Sequence, residues 1–110
     1  MSNFFNSSSK KFEDISFGEF NDQMILSNHI IIDVRSQGEF QSGKIAGARN
    51  IDLSGDFQNQ VKNLPKDKTY LLYCRSGARS STAAAMMAEI GFEKVKNLRG
   101  GIMNWPFQVV

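Results

Sequence analysis

The segment Ile30-Ile31-Ile32-Asp33-Val34 constrains this chain more than any other, because four of its five residues are β-branched. Two heavy atoms on Cβ restrict χ1 and favour extended backbone over helix. A strand with one wet face alternates apolar and polar residues. This run does not alternate, so it predicts a strand covered on both faces, which is the habit of parallel sheets. Parallel neighbours cannot be joined by a tight hairpin and need crossovers, usually helical. A second unbroken run, Tyr70-Leu71-Leu72-Tyr73, predicts another buried strand over 69–73.

The rest of the chain supplies the crossovers. Phe12-Glu13-Asp14-Ile15 reads as a short edge strand. Ser16 and Glu19 have the spacing of a capping box, and Phe17, Phe20, Met24 and Ile25 recur at helical spacing, which predicts a helix over 17–27. Ser36 is placed to cap a short helix through Phe40 that ends near Gly43, and Ala48-Arg49-Asn50-Ile51 reads as a short strand. Phe57, Val61 and Leu64 mark a helical face within 54–64, which Pro65 stops. The alanine-rich stretch 80–90 predicts a long helix with Gly91 just past its end, packing through Ala83-Ala84-Ala85 and Met86-Met87. A last strand over 94–98 follows. Gly100-Gly101 then opens a short helix anchored by Trp105 and ended by Pro106. Residues 1–11, with Ser7-Ser8-Ser9 and Lys10-Lys11, read as a flexible tail ahead of one folded domain over 12–110, with Phe4 and Phe5 as its only apolar residues able to dock beyond Met1.

Alternating strands and helices imply an α/β fold, a parallel sheet with helices on both faces. Right-handed crossovers bring the loops that follow strands to one edge, and in open α/β sheets that edge holds the site. Asp33-Val34-Arg35 and Cys74 both end strands, so both are expected there. Cys74 opens the loop Cys74-Arg75-Ser76-Gly77-Ala78-Arg79-Ser80, directly ahead of the long helix. Helix N-termini present unpaired N–H groups and a positive dipole, which stabilise an anion. A thiolate is such an anion, and a nucleophile. Gly77 permits a positive-φ turn in which successive N–H groups converge. Ser76 and Ser80 offer hydroxyls, and Arg75 and Arg79 offer charge. A cysteine that merely fills a core needs none of these neighbours. Asp33 or Glu39 is expected to brace an arginine, Arg79 or Arg35, and so to shape the loop. His29 falls at the opposite edge and is not expected to act as a base. Lys44 is read either as a solvated lysine or as a cation that draws anions to the mouth.

These segments together resemble the rhodanese-like sulfurtransferases. Ile32-Asp33-Val34-Arg35, Glu39-Phe40, the run from Gly43 to Ile51, Tyr73 to Ser80, and Leu98-Arg99-Gly100-Gly101-Ile102 with Trp105 fall in that family's order and spacing. The resemblance implies a five-stranded parallel sheet flanked by helices on both faces. It implies that Cys74 carries a persulfide, with Arg75, Ser76, Gly77, Ala78, Arg79 and Ser80 binding the substrate and Asp33, Arg35 and Glu39 supporting them. The donor would be thiosulfate or a related sulfane compound, and two cations in the loop would favour a dianion. The acceptor would be cyanide or a thiol, possibly a protein thiol. No metal or organic cofactor is implied. Two departures stand out: Lys44-Ile45-Ala46-Gly47-Ala48 where the family often has His-Ile-Pro-Gly-Ala, and Asp52 where it often has proline. Neither position carries sulfur. The same fold also serves cysteine-dependent phosphatases and arsenate reductases, but the phosphatase loop is one residue longer than the four residues that separate Cys74 from Arg79. A shorter ring suits a single sulfur atom better than a phosphoryl group. A further alternative is a persulfide relay or binding module for a protein partner.

Composition narrows the setting. A single cysteine excludes an internal disulfide framework and an intrachain cysteine-rich metal site, and it leaves no resolving thiol in this sequence. A lone reactive thiol points to a reducing compartment. A net charge of +2 is too small to argue for nucleic acid. No apolar run approaches membrane-spanning length and the start lacks an apolar signal core, so a cytoplasmic protein without membrane partners is expected.

Overall fold

The computed structural model describes residues 11–110. Apart from Lys11, the tail expected over 1–11 lies outside the described residues, as do Phe4 and Phe5. Strands β1 (Glu13–Ile15), β2 (His29–Asp33), β3 (Arg49–Asn50), β4 (Thr69–Tyr73) and β5 (Val95–Leu98) form one parallel sheet in the order β1-β5-β4-β2-β3. Between them run α1 (Phe17–Gln23), α2 (Gln37–Gln41), α3 (Phe57–Val61) and α4 (Ala78–Glu89), and a 3₁₀ turn follows at Ile102–Asn104.

β4 occupies the centre, in register with β2 from Thr69 opposite His29 to Tyr73 opposite Asp33, and paired with β5 on its other side. Alternation along the strands sorts their side chains into two layers. Ile32, Tyr70, Leu72 and Cys74 pack with Phe57 and Val61 of α3 and with Ala83, Ala84 and Met87 of α4. Ile31, Leu71, Tyr73 and Leu98 pack with Phe20 of α1 and with Trp105. Trp105 anchors the end of the domain, its ring edge-on to Phe20 at 5.6 Å. The chain then doubles back. Lys44 N–H donates to the Val110 carbonyl at 3.1 Å and Val110 N–H to the Lys44 carbonyl at 2.9 Å. Phe107 bridges Trp105 and Phe17 by edge contacts.

Local sequence signals explain the helix ends. Ser16 and Glu19 form the expected capping box on α1, and Ser36 and Glu39 form a second one on α2. The far end of α4 closes with Phe92 N–H on the Met87 carbonyl and Gly91 N–H on the Ala88 carbonyl, the paired bonds of a Schellman motif. Four expectations need correction. The helix expected over 17–27 stops at Gln23, because Ile25 and Leu26 face solvent and no packing holds another turn. The helix expected over 54–64 contracts to α3, because the Asp52 carboxylate takes the N–H and hydroxyl of Ser54 and holds a turn there instead. Ala85 points outward, since Ala83, Ala84 and Met87 already fill the inner face of α4. The last short helix is a single 3₁₀ turn. No helix among the described residues is long and apolar enough to cross a membrane.

The layering predicts a contrast within α1 and its exit. Phe20→Ala opens the lower core and should cost about 3–5 kcal/mol in urea unfolding. Ile25→Ala, on the solvent side, should stay within about 0.5 kcal/mol.

Candidate active site

Cys74 follows β4 directly and is 1% exposed. Its Sγ accepts the Gly77 N–H at 3.1 Å, the Ser80 N–H at 3.3 Å and the Ser80 hydroxyl at 3.3 Å. Burial pushes the thiol up, but the Ser80 hydroxyl and the N–H groups of Ser80, Gly77 and Ser76 outweigh it and hold its pKa below the ordinary value. The loop reaches this geometry because Gly77 takes a φ of +106°, which swings its N–H inward just before α4 begins. Ser80 is fully buried and supplies the hydroxyl on sulfur, whereas Ser76 is exposed and contributes its N–H. Ala78 opens α4 and is exposed.

Two ion pairs frame the loop. Asp33 and Arg35 are both buried, with Arg35 Nε 3.0 Å from both carboxylate oxygens and Nη2 2.7 Å from Oδ2. Arg35 Nη2 also donates to the Gly43 carbonyl at 2.6 Å, and its guanidinium lies over the Tyr73 ring. Burial pulls Arg35 down, yet its hydrogen bonds to Asp33 and that carboxylate's charge leave its pKa raised. The second pair is Arg79 with Glu39, at 2.8 and 2.9 Å between the two guanidinium nitrogens and the two carboxylate oxygens. Arg79, with the Ser36 N–H and hydroxyl, holds the Glu39 carboxyl down to about 2. The two carboxylates therefore divide the two arginines, a choice the sequence left open. Arg75 is exposed and has no carboxylate partner among the described residues.

Several contributors had no clear sequence signal. The Cys74 carbonyl accepts the Ile102 N–H at 2.9 Å and the Arg75 carbonyl accepts the Met103 N–H at 3.1 Å, so the 3₁₀ turn clamps the start of the loop. A Cβ on Gly101 would run into the Arg75 carbonyl, which explains the glycine there. The Tyr73 hydroxyl accepts the Ile45 N–H, and Asn50 Nδ2 donates to the carbonyls of Asp33 and Arg35. The Ser36-x-x-Glu39 spacing was the one available signal that Glu39 is doubly committed. Above the loop lies an open cleft of about 600 Å³, lined by Arg35, Gly38, Glu39, Ser42, Arg75, Ile102 and Met103. Lys44 is not among these; its ammonium sits 4.9 Å from the centre of the Phe40 ring. His29 begins β2 at the opposite edge of the sheet, bonded to the Ser27 carbonyl. Among the described residues no group of three or more His, Cys, Asp or Glu is placed to share a metal ion.

A buried thiol on a strand end, ringed by donors at a helix N-terminus, defines a class of α/β protein built around one cysteine. The chain matches the rhodanese-like domain over residues 16–106 and belongs to that family. It is 32% identical over 120 residues to thiosulfate sulfurtransferase 18 of Arabidopsis thaliana, covering 96% of this chain and 88% of that one. It is 40% identical over 75 residues to the uncharacterized protein YqhL of Bacillus subtilis, covering 68% of this chain but only 59% of that one. Among solved structures, a rhodanese-related protein of Thermoplasma volcanium superposes with a TM-score of 0.78 at 29% identity, covering 89% of this chain and 97% of that one.

Alkylation of Cys74 followed against pH should show a midpoint below that of an ordinary thiol, and Ser80→Ala should raise it. The Glu39–Arg79 pair should show in acid. Because the folded Glu39 carboxyl lies near 2 and the ordinary value is 4.5, its contribution is complete above about pH 5 and is lost as pH falls towards 2. Between those limits Glu39→Gln should lose less stability than the wild type in urea titrations.

Proposed function

We propose that the protein is a sulfurtransferase that carries sulfane sulfur on Cys74. The observation that supports this most directly is the Cys74 sulfur, buried and met by two N–H groups and one hydroxyl within a loop of four intervening residues. The thiolate attacks the outer sulfur of thiosulfate or a related donor. The donor's S–S bond breaks, sulfite or a thiolate leaves with the electron pair, and Cys74 holds a persulfide. The N–H groups of Ser76, Gly77 and Ser80 and the Ser80 hydroxyl stabilise its terminal sulfur. An acceptor nucleophile, cyanide or a thiol, then attacks that sulfur and returns Cys74 to the thiolate. This is covalent catalysis with ping-pong kinetics. The likeness to a plant protein named for thiosulfate supports this donor. A short loop closed around one sulfur disfavours phosphoryl or arsenate chemistry. The lone thiol of this sequence fits a reducing, cytoplasmic setting.

One observation favours a second reading. The expectation that two loop cations attract a dianion meets a different balance here: Arg79 is neutralised by Glu39 and Arg35 by Asp33, which leaves Arg75 as the one unpaired cation lining the cleft among the described residues. A small dianion is weakly attracted, and an open cleft with exposed Met103 also accommodates a thiol or persulfide on a protein. Thiosulfate turnover compared with sulfur transfer from a protein persulfide separates the two readings.

Incubation with thiosulfate should add one sulfur, about 32 Da, by intact mass, and Cys74→Ser should add none. After desalting, the added mass should persist until a thiol or cyanide is supplied. Loss at the same rate with and without acceptor would refute a protected persulfide. The unmodified protein should hydrolyse aryl phosphates negligibly, and one residue inserted between Ala78 and Arg79 should weaken sulfur transfer.

A further inference from the structure

Asn97, near the end of β5, is 2% exposed and belongs to none of the segments that carry the chemistry. Its Nδ2 lies 2.9 Å from Asp14 Oδ1 on β1, 3.2 Å from Ser81 Oγ and 3.4 Å from the Gly77 carbonyl. Its own Oδ1 is buried without a hydrogen-bond partner among the described residues. Buried polar atoms are rarely left so, and each exception needs a reason. The reason here is orientation. The Asp14 carboxylate accepts only, so the amide must turn its nitrogen to β1, and its second hydrogen is shared between Ser81 Oγ and the Gly77 carbonyl of the loop.

That second hydrogen meets a competition for one proton. The Ser80 hydroxyl lies 3.3 Å from the Cys74 sulfur and also 3.3 Å from the Gly77 carbonyl. It has a single proton and serves only one of them at a time. The Gly77 carbonyl has two lone pairs. The Ser81 N–H takes one at 3.0 Å, as the first bond of α4, and Asn97 Nδ2 is placed to take the other. With both engaged, the carbonyl competes less for the Ser80 proton, and the sulfur is the favoured acceptor.

We propose that Asn97 is a positioning residue: by occupying the Gly77 carbonyl, it commits the Ser80 hydroxyl to the Cys74 sulfur. Asn97 touches neither sulfur nor substrate, and its effect passes through Ser80. The inference rests on the sulfurtransferase reading only for its kinetic consequence, since the hydrogen-bond relay exists in the resting thiol.

The test is a double-mutant cycle read by alkylation of Cys74 against pH. Asn97→Leu and Asn97→Ala both remove the donor but differ in volume. Each should raise the midpoint by about half to one pH unit, as expected for partial loss of one hydrogen bond to an anion. Placed on Ser80→Ala, neither should raise it further. Below the midpoint, sulfur uptake from thiosulfate should slow by about three- to tenfold, the same shift expressed as thiolate fraction, and should recover at higher pH. Should the apolar variants not fold, Asn97→Ser, polar but too short to reach Gly77, is read the same way. An unchanged midpoint overturns the proposal. So does a shift that adds to that of Ser80→Ala, or one confined to the leucine variant, which would mark a packing effect. Failure of the wild type to take up sulfur would instead sink the sulfurtransferase reading and leave the alkylation result standing.

Discussion

β4 has no wet face: every residue from Thr69 to Tyr73 is buried between two helical layers. Strand side chains alternate, so this burial fixes on which side each one falls. Leu72 and Cys74 take the α4 side and Tyr73 the side of Phe20 and Trp105. A slip of one residue would place the thiol beneath Trp105, far from any helix N-terminus. The ladders to β2 and β5 oppose that slip. Pairing continues past the strand end, with Val34 N–H on the Tyr73 carbonyl at 3.0 Å, so the exits of β2 and β4 remain adjacent. Asp33, Arg35 and the cysteine loop share an edge for that reason.

The two ion pairs contribute differently. Asp33 and Arg35 are buried together, and removing one partner would strand a buried charge at a cost of about 3–5 kcal/mol. Their place is structural: they tie the end of β2 to Gly43 and lie over Tyr73. Glu39 and Arg79 are each about a third or more exposed, so their attraction is screened. What this pair supplies is geometry. One Glu39 oxygen caps α2 through Ser36 while the carboxylate grips the first turn of α4. Two helix N-termini are thereby set relative to each other by a single side chain.

The fold was legible because its signals are local and redundant. Two unbroken apolar runs, a capping box at Ser16 and a glycine at 77 each act within a few residues of themselves. The parallel sheet, two strands buried on both faces and a cysteine loop ahead of a helix follow from them. Helix lengths were less legible, because Ile25 and the segment around Ser54 have helical spacing but no surface to cover. Long-range partners were least legible. Nothing in the sequence pairs Glu39 with Arg79 rather than with Arg35, Asn97 with Gly77, or Ile102 with the Cys74 carbonyl. These contacts depend on which crossovers bring separate strand ends together, and composition does not encode them.

The return of the chain from Trp105 to Lys44 has a consequence for architecture. Val110 pairs with Lys44, one residue from the carbonyl that holds Arg35 and two from Ser42 on the lip of the cleft. Polypeptide joined after Val110 therefore starts close to the cleft, two residues along the paired segment from its lip. A fused module or an affinity tag attached there begins its tether beside the opening. In a multidomain arrangement, such a junction sets a neighbour close to the cleft, and in the laboratory a tag attached there is apt to crowd it.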